Sequence, residues 1–263
     1  MSENKIDITV TILGSGTCVP SLERSSCSVL VETKGAKILI DCGPGTIRRL
    51  LENGTKIYDI SHILLSHFHP DHTGELIPFL FSNKYPDASY RKIPLYIIAG
   101  SGLAEFYGGL KKVFGYWIDL APNSLNMVEI YKNNHIEYFN DFILEMVSVE
   151  HNAESLAFKI TGGKGTSLVY SGDTDYCENL IDIAVNTNLL ICESALPDEL
   201  KVKGHLTPSE AGEIASKANV KQLLLTHFYP ECDNIDIELQ CRKTYSGPLF
   251  LARDLMKINL TSS

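Results

Sequence analysis

The sequence contains no Cys-x-x-Cys pair. Its seven cysteines, Cys18, Cys27, Cys42, Cys177, Cys192, Cys232 and Cys241, are scattered and odd in number. That excludes the cysteine-rich closed sets that hold structural zinc and the paired thiols of redox motifs. The cysteines read instead as small buried apolar residues in a reducing compartment, Cys42 included although it follows Asp41. No apolar segment approaches the roughly 20 residues that cross a bilayer, and the polar start Met1–Lys5 shows no secretory leader. We therefore expect no membrane contact and a cytoplasmic location. Positive charge is also short: 23 Lys and Arg against 32 Asp and Glu give a net charge of −9, unsuited to gripping nucleic acid through a global field. The small basic clusters Arg48-Arg49, Lys111-Lys112 and Lys201/Lys203 read as solvated surface. Repeats, linkers and low-complexity tracts are absent. A chain of 263 residues, 44% hydrophobic and 21% charged, is then expected to form one domain over 1–263 with a core that needs no staples.

What the chain does have is concentrated. His67, His69, Asp71 and His72 fall within six positions, in Ser66-His67-Phe68-His69-Pro70-Asp71-His72. They follow the apolar run Ile63-Leu64-Leu65, which reads as a buried strand. On an extended segment side chains alternate, so His67, His69 and Asp71 are expected on one face and His72 elsewhere. Such a set suits two metal ions side by side.

The remaining pattern alternates strands and helices. Strands are predicted at Ile6–Leu13, Ser28–Thr33, Ala36–Asp41, Pro94–Ala99, Ile136–Phe139, Phe142–Val149, Ser155–Thr161, Ser167–Tyr170, Leu189–Cys192 and Gln222–Leu225. Helices are predicted at Thr46–Asn53, Glu75–Ser82, from Ser101-Gly102 to Val113, from Asp175 to Asn186, from Thr207 to Ala218 and near Ile235–Tyr245. Asp175-x-x-Glu178 and Thr207-Pro208-Ser209-Glu210 resemble capping boxes, and residues 115–126 read as irregular. This order predicts two packed sheets with helices outside. Three more ligand-type residues end or follow predicted strands: His151, Asp173 and His227. Ligands on several strand ends make a stiff site. His62 and His135 read as structural.

Taken together, Leu13-Gly14-Ser15-Gly16-Thr17, Ile40-Asp41-Cys42-Gly43, the cluster at 67–72, His151, Ser171-Gly172-Asp173-Thr174, Gly204-His205-Leu206-Thr207 and Leu225-Thr226-His227-Phe228 resemble the metallo-β-lactamase superfamily, and within it the ribonuclease Z branch. The resemblance spans nearly the whole chain. It implies an α/β (α+β), four-layer αββα sandwich with a dinuclear site: one metal on His67, His69 and His151, the other on Asp71, His72 and His227, with Asp173 bridging. Zinc is the expected metal, with manganese or iron also compatible. It implies a metal-dependent hydrolase, a phosphodiesterase or endoribonuclease, in which the metal pair activates water for attack on phosphorus. Asp71 would orient the nucleophile or take its proton. His205 would protonate the leaving oxygen, with Glu193 as its partner. Homodimers are common in this branch.

One departure bears on the substrate. Members of the branch that process tRNA carry a long basic arm between the positions of His151 and Asp173. Here 21 residues separate the two, and Lys159 and Lys164 are the only basic side chains among them. The arm is missing, so a small phosphodiester, cyclic or alkyl, competes with RNA as the substrate. Two other functions are weighed beside this one: a metal-dependent hydrolase of an ester, thioester or lactam, and a non-catalytic binding member of the fold.

Overall fold

Apolar runs in this chain are buried on one face or on both, and the computed structural model, which describes residues 6–262, shows where each kind goes. Strands β1 (Ile6–Gly14), β2 (Ser28–Glu32), β3 (Lys37–Ile40), β4 (His62–Leu65), β5 (Leu95–Gly100) and β6 (Leu125–Ile130) form the first sheet. Strands β7 (His135–Tyr138), β8 (Phe142–Ser148), β9 (Leu156–Gly162), β10 (Ser167–Tyr170), β11 (Leu189–Glu193), β12 (Leu223–Thr226) and β13 (Leu249–Leu251) form the second, and β14 (Lys257–Thr261) returns to pair with β1. The orders are β14-β1-β2-β3-β4-β5-β6 and β13-β12-β11-β10-β9-β8-β7. Both sheets are mixed. β3 to β6 run parallel in the first, and β10 to β13 run parallel in the second.

The helices are α1 (Thr46–Glu52), α2 (Pro70–Thr73), α3 (Leu76–Lys84), α4 (Leu103–Phe114), α5 (Glu178–Ala184), α6 (Pro208–Lys217) and α7 (Ile237–Arg242). Strand alternation sorts the side chains. Val29, Val31, Ile38, Ile40 and Leu64 point into the core shared with Phe158, Ile160 and Leu168 of the second sheet. Leu30, Leu39, Ile63 and Leu65, one residue out of phase, pack against Leu50, Leu76, Phe79 and Leu103 of the outer helices. Parallel strands covered on both faces read as continuous apolar runs, which is why Ile63-Leu64-Leu65 shows no alternation. The result is a four-layer αββα sandwich, as expected. No helix among the described residues is long and apolar enough to cross a membrane.

Two expectations are corrected. The stretch read as irregular ends in a strand, β6, which is half-exposed and pairs only with β5, so its apolar signal is weak. Asp175 does not cap α5, whose N-cap is Cys177 with no side-chain hydrogen bond. The Asp175 carboxylate accepts instead from Gly204 N (2.9 Å) and Lys201 Nζ (2.7 Å). The basic clusters lie at the surface as read: Arg48, Lys111, Lys112, Lys201 and Lys203 are exposed and Arg49 is half-buried, and several are paired with acidic neighbours. Lys201 further donates to Glu210, Arg49 pairs with Asp254 at 3.0 Å, and Lys111 pairs with Asp119.

Candidate metal centre

The ends of β4, β8, β10, β11 and β12 meet at one edge of the sandwich. After β4 the chain bends at Ser66, and His69 is extended until Pro70 opens α2, a position that suits its fixed φ and missing N–H. The expectation that His67, His69 and Asp71 share one extended face is therefore corrected. Asp71 and His72 sit on a helical turn, which swings both toward the other sheet. Gly43 permits the close approach of this turn: a Cβ there would come within 2.0 Å of the Asp71 carbonyl oxygen.

Asp173 stands in the middle. Its Oδ2 lies 3.7 Å from His67 Nε2 and 4.0 Å from His151 Nε2, while its Oδ1 lies 3.2 Å from His72 Nε2 and 3.3 Å from His227 Nε2. Asp71 Oδ2 is 3.8 Å from His72 Nε2 and 3.7 Å from His227 Nε2. His69 Nδ1 faces His151 Nε2 at 3.4 Å. All seven residues named from the sequence as metal ligands thus converge.

Hydrogen bonds behind the rings fix which nitrogen faces inward. Asp41 is fully buried and accepts from Ser66 N (2.8 Å), Ser66 Oγ (2.9 Å), Tyr170 Oη (2.8 Å) and His72 Nδ1 (2.7 Å). Ser66 spends its proton on Asp41, so His67 Nδ1 donates to Ser66 Oγ at 3.0 Å. His151 Nδ1 donates to the Gly204 carbonyl at 2.8 Å. In each neutral ring the proton sits on Nδ1, which leaves the Nε2 lone pair to face the centre. Asp41 and His227 both hold left-handed backbone, with φ of 58° and 62°, a cost of about 1–2 kcal/mol each that recurs at functional sites. Sequence reasoning missed the bracing role of Asp41, Ser66 and Tyr170. Its traces there were Asp41 in Ile40-Asp41-Cys42-Gly43 at a strand end and Ser66 beside His67, neither given a role.

The donor set fits divalent cations. Nε2 of His67, His72 and His227 and Oδ1 of Asp173 are buried and make no hydrogen bond among the described residues. Leaving such an atom unpaired costs about 1–3 kcal/mol. The donor atoms of His67, His69, His151 and Asp173 all lie within 4.8 Å of one another. The electrostatics agree. Burial, then His72, pushes His67 down to about 2. Burial raises Asp71, but His227 and His72 outweigh it and hold the carboxyl at about 2. Burial likewise opposes the charge on Asp173, and His227 and His72 still keep it well below the usual range. Burial works against a proton on His72, yet Asp173 and Asp41 hold one there well above the ordinary histidine value. A bound cation would answer the same negative field.

His205 lies beside this centre, its ring 5.0 Å from that of His151 and stacked 5.5 Å from that of His227. Its Nδ1 is 3.0 Å from Glu193 Oε1. Glu193, at the end of β11, also accepts from Thr174 N (2.8 Å) and Ala195 N (3.2 Å). Burial lowers His205, but the Glu193 hydrogen bond and charge carry it up to about 9. The loop bearing His205 is fastened by the Lys201–Asp175 pair and by the capping box of α6, where Thr207 and Glu210 bond reciprocally. His62 and His135 stand apart. His62 packs on Tyr96, Phe139 and Phe142, and His135 bonds Glu137 at 2.7 Å. Cys42 packs in the apolar cluster under the outer helices.

The comparisons agree with this geometry. The ribonuclease Z of Archaeoglobus fulgidus is 25% identical over 307 aligned positions, covering 96% of this chain and 97% of its own. The metallo-β-lactamase fold protein YhfI of Bacillus subtilis superposes with a TM-score of 0.82 at 22% identity, over 97% of this chain and all of that one. The short form of human tRNase Z superposes with a TM-score of 0.76 at 24% identity, over 95% and 98%. Such relatives place the chain on the ribonuclease Z-like branch of the metallo-β-lactamase fold, among its metal-dependent hydrolases. The family model described as Anti-Pycsar protein Apyc1 matches residues 8–240, and the chain belongs to that family.

Proposed function

We propose that the chain, as one hydrolase domain, cleaves phosphodiester bonds with two divalent cations, one on His67, His69 and His151 and one on Asp71, His72 and His227. One observation carries this reading: the two oxygens of Asp173 face different histidine pairs, Oδ2 toward His67 and His151, Oδ1 toward His72 and His227. A carboxylate so divided is suited to bridging. Zinc is favoured by the nitrogen and carboxylate donors, with manganese or iron compatible. Such cations supply water ionised near neutral pH and offset charge on phosphoryl oxygens.

The chain's own residues divide the rest. Asp71, held ionised, orients the attacking water or takes its proton. His205 carries a proton at neutral pH because Glu193 stabilises it, and it gives that proton to the leaving oxygen. Glu193 acts through His205 as a positioning residue. A small diester is favoured over tRNA: β9 ends at Gly162 and β10 begins at Ser167, so a short hairpin occupies the place of the arm. RNA remains the competing substrate, and a cytoplasmic homodimer goes with the same reading.

The test is turnover of bis(p-nitrophenyl) phosphate by protein stripped with a chelator and reloaded with zinc or manganese, beside a thioester of similar size. Diester turnover that appears only on reloading is the expected result. Thioester turnover without diester turnover would move the assignment to the ester and thioester hydrolases, and a fully loaded protein inert to both would favour a binding role.

A further inference from the structure

Six of the seven cysteines are buried. Five of them, Cys42, Cys177, Cys192, Cys232 and Cys241, pack inside the two apolar clusters. Cys27 packs in neither, although only 1% of its surface is exposed. Its Sγ lies instead within 4.8 Å of a ring nitrogen of His72 and one of His227. Both imidazoles are buried and have an Nε2 without a hydrogen-bond partner. The backbone at Cys27 is fixed. Its carbonyl accepts from Gly43 N at 3.2 Å, and the next residue, Ser28, donates its hydroxyl to the Asp41 carbonyl at 3.0 Å. A cation bound to imidazole nitrogen at about 2.0–2.1 Å and to thiolate sulfur at about 2.3 Å keeps its donors within about 4.4 Å of one another. These three donors are therefore close to the reach of one ion.

Granted the two-cation reading, we propose that Cys27 Sγ is a further ligand to the cation held by Asp71, His72 and His227, a sulfur donor that the His67–His69–His151 position lacks. On binding, the S–H bond breaks, its proton passes to solvent, and a sulfur lone pair forms the bond to the cation. Nothing is oxidised or reduced. The two positions then differ in kind. The sulfur-bearing one prefers soft ions such as zinc, and the other accepts harder ones more readily.

Cobalt(II) titration of the intact, chelator-stripped chain tests this, with near-UV absorption reporting thiolate-to-cobalt charge transfer, visible bands reporting occupancy, and elemental analysis giving the ion count. The expected result is two bound ions and a near-UV band that is lost in Cys27→Ser while the visible bands remain. The variant should also bind one of the two ions at least about tenfold more weakly. Two bound ions without the near-UV band overturn the proposal and leave the two-cation reading standing, as does a band that persists in Cys27→Ser. Failure to bind two ions overturns both. Cadmium-113 NMR of the unmodified chain keeps the proposal falsifiable if the variant does not fold. One resonance should lie far downfield, where thiolate-bound cadmium appears, and two resonances in the nitrogen and oxygen range would overturn it.

Discussion

Strand β4 is entered at His62 and left at His67, and the two histidines make an instructive pair. Both are buried, both have an Nε2 without a hydrogen-bond partner, and burial pushes both down, His62 to about 4 and His67 to about 2. By burial and acidity alone they are the same kind of residue. They differ in what faces them. His62 lies among the rings of Tyr96, Phe139 and Phe142. His67 faces His69, His72, His151 and Asp173. A buried imidazole becomes a candidate ligand through the other donors that converge on it, supplied here by both sheets.

The largest test of that contrast is at the exit end. Asp173→Ala removes the group shared by both proposed positions. It should lower diester turnover by about 10³-fold or more, the equivalent of several kcal/mol, and reduce bound metal in elemental analysis. Turnover within tenfold of the parent would break the comparison. Next, His205→Ala should cost at least about 10²-fold in kcat with metal content unchanged. The loss should be greater for a diester with a poor leaving group than for one that releases p-nitrophenolate. Equal loss on both would remove His205 from proton transfer.

A smaller effect is expected from Asp41→Asn, which leaves the shape but weakens the acceptor behind His72. Metal affinity at the Asp71–His72–His227 position should fall by about 10–100-fold, as read by competition with a chromophoric chelator, and the other position, which Asp41 reaches only through Ser66 and His67, should lose less. The smallest effect belongs to the entry end. His62→Phe should leave metal content and turnover as they were. It should also remove an acid sensitivity. The folded pKa of His62 is below the unfolded value, so below pH 6.5 the unfolded chain binds a proton that the folded one refuses. Stability is complete above about pH 6.5 and declines as pH falls toward about 4, by up to about 3 kcal/mol. Urea unfolding of the metal-free protein at pH 7.5 and pH 5 measures this, and a pH dependence unchanged by His62→Phe would contradict it.

How much of this was visible in the sequence follows from the same contrast. His67, His69, Asp71 and His72 were legible because they are neighbours in the chain, and His151, Asp173 and His227 because each follows an apolar run. Their inward-facing nitrogens were not, because Asp41, Tyr170 and Gly204, which fix the tautomers directly or through Ser66, lie far away in sequence. Pro70 turned an expected extended face into a helical turn, and Gly204 and Lys201 drew Asp175 away from the cap its spacing suggested. The edge strand β6 escaped notice because a strand with one partner and a half-wet surface need not be apolar.

The central claim is that donors from both sheets hold two cations across Asp173. An anomalous-difference map from crystals grown with zinc tests it most directly. The account predicts two peaks about 3.5–4 Å apart, one beside His67, His69 and His151 and one beside Asp71, His72 and His227, with the Asp173 carboxylate between them. A single peak, or peaks away from these side chains, would contradict it.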